Sequence, residues 1–199
     1  MTTKLSVAIL YGFGEGQRHG RTLQAALLAA DFAIAATAHD ADVIIAHSGG
    51  MYTLPDDTSG KTIFLIAPSC GRTDKTWLQT QSQKVWQDMN YFLKAKMFAK
   101  WMQKSLWNAV YLIGQASGLP HLWNTHQQHQ AGLPTIAAPT VVVTFKNDPW
   151  SGYISAKEKD KHPDYTFLTI EATHDDLWLH PDRYVELVQE MTSPKIRVL

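Results

Sequence analysis

The sequence predicts an α/β protein: a three-layer sandwich on a mostly parallel sheet of about six strands, with helices on both faces. Three observations carry this expectation. Short, nearly all-apolar runs recur along the chain with helical segments between them, the pattern of parallel strands buried on both faces. One of these runs, Val43-Ile44-Ile45, passes directly into the small-residue turn Ala46-His47-Ser48-Gly49-Gly50. Finally, one long stretch, residues 72–134, shows no strand pattern and reads as a helical, Trp-rich insert within a single domain of residues 1–199.

The elements follow in order. Residues 5–10 form an apolar run that closes on Gly12-Phe13-Gly14-Glu15-Gly16, a buried strand followed by a tight loop. Residues 21–30 are rich in Ala and Leu and predict a helix. Residues 32–37, 42–46 and 62–67 predict the next three strands. Residues 140–145, with valine at 141, 142 and 143, give the clearest strand of the chain. Residues 165–170 predict the last strand, and 184–191 a closing helix. In the insert, Trp77, Trp86, Trp101 and Trp107 recur in a helical background with Tyr91, Phe92 and Phe98. Between Arg72 and Gln115, seven Lys or Arg stand against only Asp74 and Asp88, so this segment is locally basic. Residues 121–134 read as a polar loop rich in Gln and His.

Composition narrows the function classes. Lys plus Arg equals Asp plus Glu at 18 each, which removes any global attraction to nucleic acid or anionic membrane. Apolar residues at 45% against 18% charged residues place the chain among folded, not disordered, proteins. Cys70 is the only cysteine, so no internal disulfide forms, and this usage fits a reducing compartment. The first apolar run is too short for a signal sequence, and residues 25–38 are too short, and too interrupted by Asp31, to span a bilayer. The expectation is a cytoplasmic protein with no stable membrane insertion and no nucleic-acid partner.

The turn at Ser48 carries the chemistry. A nucleophilic serine needs a sharp, strained turn between strand and helix, so that its hydroxyl stands clear of the sheet edge, and small neighbours let that turn close. It also needs a general base and a carboxylate that holds the base in one tautomer. Two later strand ends offer these: Lys146-Asn147-Asp148-Pro149 after residues 140–145, and Glu171-Ala172-Thr173-His174-Asp175-Asp176 after residues 165–170. In a parallel sheet the C-terminal strand ends share one edge, where such sheets bind ligands. A histidine acting as base must be neutral, which predicts activity rising through roughly pH 6–7 at its reference pKa.

With Ser48, Asp148 and His174 in that order, the chain resembles the α/β-hydrolase superfamily over nearly its whole length. Tyr11-Gly12-Phe13-Gly14 is similar to the family's His-Gly-x-Gly loop, Ala46-His47-Ser48-Gly49-Gly50 to its nucleophile elbow, Asn147-Asp148 to its acid loop and Thr173-His174-Asp175 to its histidine loop. The resemblance implies Ser48 as nucleophile, His174 as general base and then acid, and Asp148 as its orienter. It implies an oxyanion hole from the backbone N–H groups of Gly49 and Phe13, and a lid at residues 72–134. Tyr11, Gly12, Trp77 and Trp150 are the substrate-pocket candidates. The implied activity is cleavage of a small-molecule carboxylic ester or related acyl bond through an acyl-enzyme, with no cofactor and no metal. Ala46 and Tyr11 depart from the family's usual glycine and histidine, and the family's early strands are missing, so the expectation is a trimmed version.

Other readings of the same residues stand beside this one. The hydrolase-like fold could be a catalytically silent binding module. The glycine cluster 12–16, with Asp40 after the second strand, could cradle a dinucleotide, although its spacing is not G-x-G-x-x-G. His121, His126 and His129 have no nearby Cys or acidic partner to complete a metal site. Cys70 reads as a small buried apolar group, and the insert's basic and aromatic residues are compatible with a lid, with packing onto the body or with docking on anionic lipid.

Overall fold

The computed structural model describes residues 4–12, 17–70, 131–148 and 154–193, together with Ser82, Trp86, Met89, Asn90, Leu93, Met102 and Leu106 of the insert, which are helical. Phe13, Trp77, Trp150, the His121, His126 and His129 group and most of the expected lid lie outside the described residues. The order of elements is β1 (Ser6–Leu10), α1 (Gln17–Ala29), β2 (Ala33–Ile34), β3 (Val43–His47), a 3-10 helix (Ser48–Thr53), β4 (Thr62–Ile66), β5 (Thr140–Phe145), α2 (Ala156–Lys159), β6 (Thr166–Ile170), α3 (Asp176–Leu179) and α4 (Pro181–Thr192).

The six strands form one sheet in the order β2-β1-β3-β4-β5-β6, every pair parallel. The chain steps from β1 outward to β2, returns across β1 to β3, and then adds every later strand on the far side. The strand order therefore reverses between β1 and β3. Connections leaving the C-terminal ends of those two strands diverge and open a crevice, the usual ligand position in such sheets. Ser48 follows β3 there, and Tyr11-Gly12 follows β1.

Side-chain alternation explains why the strands are apolar throughout. Val43 and Ile45 of β3 face one side, with Phe64, Ile66, Val141, Val143 and Phe145. Ile44 and Ala46 face the other, with Ile63, Leu65 and Val142. The first face is covered by Leu23 and Leu27 of α1, Leu177 and Trp178 of α3, and Tyr184, Val185 and Val188 of α4. On the second face the described cover includes Met51, Cys70, Leu133 and Ile154. Burying each such side chain is worth roughly 1.5–3 kcal/mol, so both faces contribute.

The sheet matches the expected strands with shifts at their ends. The second strand shrinks from 32–37 to Ala33–Ile34. It is the sheet edge, paired only through β1, and past it only the Ala35 N–H to Val7 carbonyl bond at 2.9 Å extends the pairing. The closing helix begins at Pro181, earlier than 184, because proline fits the first helical turn, where its missing N–H costs nothing. The four-residue helices α2 and α3 have too few positions to show a period in the sequence. From Ser48 onward the chain makes one six-residue 3-10 helix, Ser48–Thr53.

Candidate active site

Ser48 follows the last residue of β3 and has φ +52, one of three non-glycine residues with positive φ among those described. An L-residue there costs on the order of 1–2 kcal/mol, which marks a turn that the surroundings hold in place. Two residues on, the turn packs closely on β1. Gly50 is buried, and a Cβ on it would come 2.5 Å from the Leu10 carbonyl oxygen and 2.8 Å from the Leu10 carbonyl carbon. No side chain fits between the turn and the end of β1, so glycine lets the turn press against that backbone. Ala46, where the resembling family has glycine, is fully buried on the second face, and its methyl is accommodated there. Ser48 and Gly49 are partly exposed. The Gly49 N–H lies in the first turn of the 3-10 helix, where the helix itself offers no acceptor.

Asp148 and His174 come together. The Nδ1–H of His174 donates to Oδ2 of Asp148 at 2.8 Å, with both residues buried and the Asp148 side chain fully so. Asp148 sits in the turn after β5, where its N–H donates to the Phe145 carbonyl at 3.0 Å. Next to it the Asn147 N–H reaches the Ala172 carbonyl at 3.3 Å, tying the turn after β5 to the loop after β6. A buried carboxylate on Nδ1 selects the tautomer that leaves Nε2 as the proton-accepting nitrogen.

The loop bearing His174 starts three strands from β3, yet it reaches the serine turn. His47, immediately before Ser48 and fully buried, donates from Nε2 to the His174 backbone carbonyl at 2.9 Å. The two imidazoles lie 4.8 Å apart, centroid to centroid. No hydrogen bond between the Ser48 hydroxyl and His174 is among those that the described residues make. Such bonds are often long before substrate binds.

His47 is the functional candidate that sequence reasoning passed over. Its signal was available: it is a titratable residue closing a strand whose other four positions are apolar. Its ring meets Trp178 edge-on at 5.0 Å, and Trp178 stacks on Tyr11 at 5.9 Å. Tyr11 lies partly buried beside α1, accepts a hydrogen bond from the Gln24 amide at 3.2 Å, and is crowded by Gly20, where a Cβ would collide with the phenol. The Thr22 hydroxyl donates to the Trp178 carbonyl at 3.0 Å. A layer of α1, Tyr11, Trp178 and His47 thus underlies the serine turn. Gly12 is partly exposed at the end of β1.

Cys70 is buried beyond β4, and burial, with the Glu158 charge second, pushes its thiol up to about 12. It carries no thiolate at neutral pH. Asp40, the residue suggested for a ribose, accepts from the Thr37 hydroxyl at 2.7 Å. Among the described residues no group of three or more His, Cys, Asp or Glu is placed to hold a metal, and no helix is long and apolar enough to cross a membrane.

Comparison with known proteins gives likeness in structure alone. No family model matches the chain, and no curated protein matches its sequence. Many solved structures do. An enol-lactonase from Burkholderia xenovorans superposes with a TM-score of 0.63 at 12% identity, over 96% of this chain and 93% of that one. An esterase from Exiguobacterium antarcticum gives 0.61 at 13% identity, over 97% and 94%. An enzyme from a lagoon-sediment metagenome of Mar Chica, Morocco, described as an alpha/beta hydrolase, gives 0.54 at 14% identity, over 99% and 93%.

Proposed function

The chain has the α/β-hydrolase fold, and on that premise we propose that it is a serine hydrolase cleaving a small-molecule carboxylic ester through an acyl-enzyme. One observation carries the reading: the buried His174–Asp148 pair, bonded at 2.8 Å, is tied through the His174 carbonyl to His47, the residue before Ser48 with its φ of +52. The esterase and lactonase among the similar structures favour an ester or lactone as substrate class.

In this mechanism the Ser48 Oγ attacks the acyl carbon and its proton passes to Nε2 of His174. The carbonyl π pair moves onto oxygen, where the N–H groups of Gly49 and Phe13 receive it. Each such donor is worth about 3 kcal/mol in the transition state. Collapse breaks the acyl C–O bond, and the alcohol leaves with the proton from His174. Water then attacks the acyl-enzyme, giving its proton to His174, and the second collapse returns that proton to Ser48 as the carboxylic acid departs. Asp148 keeps Nδ1 protonated throughout and stabilises the imidazolium. We infer a lid role for residues 72–134 and a substrate-pocket role for Trp77 and Trp150.

A fluorophosphonate probe tests the reading. The wild type takes up one label at Ser48, and Ser48→Ala takes up none. A folded wild type that stays unlabelled and turns over no member of an ester panel supports the second reading, a catalytically silent module.

A further inference from the structure

We propose that His47 is a positioning residue that sets where His174 stands relative to Ser48. The inference rests on the hydrolase reading for its catalytic consequence, but not for its geometry. Among the described residues, two hydrogen bonds hold His174. Asp148 holds the imidazole through Nδ1 at 2.8 Å, and His47 holds the backbone through the carbonyl at 2.9 Å. The first bond sets the direction of the ring. The second sets the distance of the whole residue from the nucleophile, because its donor belongs to the residue covalently next to Ser48.

The arrangement is suited to that task. β6, which leads to His174, is separated from β3 by β4 and β5, and no strand pairing links the two. The His47 bond therefore joins the serine turn directly to the base-bearing loop. Its donor is rigidly placed, since the ring is fully buried, edge-on to Trp178 at 5.0 Å. Nε2 carries a proton in the donating neutral tautomer and in the imidazolium alike, so the tether survives protonation of either histidine. A change in its length acts on the Ser48–His174 separation, and displacement by about 1 Å can cost on the order of a hundredfold in rate.

The test compares three variants with the wild type. His47→Phe keeps an aromatic ring against Trp178 and removes the donor. His47→Gln restores an N–H at a similar reach. His47→Asn carries a shorter amide and serves as the donor-displaced form if the phenylalanine variant does not fold. Two readouts are taken: amide hydrogen exchange of residues 171–176, and kcat and KM on a p-nitrophenyl ester. Removing the donor should speed exchange in that loop and lower kcat about 10- to 100-fold with KM changed less than about twofold. His47→Gln should recover most of both. Unchanged exchange in the loop overturns the tether, as does failure of glutamine to do better than phenylalanine. Faster exchange with an unchanged kcat overturns the positioning role. If the wild type is not labelled at Ser48 and has no turnover, the hydrolase reading fails by itself, and exchange still decides the tether.

Discussion

Gly50 lies against the end of β1 so closely that a Cβ would approach the Leu10 carbonyl oxygen to 2.5 Å. Both partners are backbone, so neither can swing aside. Gly50→Ala must push the 3-10 helix away from β1 and disturb both strand ends that flank the crevice. The expected cost is about 1–3 kcal/mol, as for other overpacked sites, read as a lower urea midpoint at unchanged m-value. A midpoint equal to that of the wild type would mean that the turn has room to move.

Ser48 makes a second backbone prediction. At φ +52 glycine is free of the strain that any side chain suffers. Ser48→Gly should therefore be more stable than Ser48→Ala by about 1 kcal/mol, although both lack the hydroxyl. Equal stabilities in parallel denaturant titrations would show that the left-handed turn is not kept in solution.

Asp148→Asn separates orientation from charge. An amide at the 2.8 Å position opposite Nδ1 can donate to the ring as well as accept from it, so the tautomer is no longer selected. For a triad of this kind the expected fall in kcat is on the order of 10⁴-fold, with KM little changed. A loss of only a few-fold would remove Asp148 from the mechanism.

Cys70 predicts a pH effect at the alkaline end. Burial raises its thiol from an ordinary value near 9.0 to about 12 in the folded protein. A group raised in this way contributes stability that is whole below the unfolded value and is lost as pH climbs through the folded one. Wild-type stability should therefore decline between about pH 9 and 12 more than that of Cys70→Ala. At neutral pH a thiol reagent should modify Cys70 only as fast as the chain unfolds. Rapid native-state labelling would contradict the burial.

Asp42 predicts the converse at the acid end. Its carboxylate accepts from the Ser6 N–H and from the Ser6 hydroxyl, each at 2.7 Å, and these bonds hold its pKa below the ordinary 3.8. Here stability is present above the unfolded value and is lost as pH falls through the lower folded one. Asp42→Asn should unfold with a shallower dependence on pH below about 4. An unchanged acid transition would show that the Ser6 bonds add nothing.

The parallel sheet is legible in the sequence because strands buried on both faces must be apolar at every position, as Val43-Ile44-Ile45 and Val141-Val142-Val143 are. Ser48, Asp148 and His174 are legible as candidates because each follows such a run, and a parallel sheet collects those ends on one edge. The pairing of Asp148 with His174 is the part of that expectation for which the structure supplies a distance. The partner of His47 is not legible. Alternation says which face its side chain takes, but not which carbonyl it meets from a loop 127 positions away in sequence. The brevity of β2 is hidden for a related reason: residues 32–37 are apolar enough to pair, and nothing in their composition marks where the chain bends away at 36–38.

The packing of α1 on α4 has a consequence for the chain as it is made. Leu23 and Leu27 leave the ribosome well before Tyr184, Val185 and Val188, which cover the same sheet face. Throughout that interval the first helix and the strands beneath it are only partly sheltered. The apolar face that α1 begins to cover thus waits for a segment far along the chain to complete its shelter.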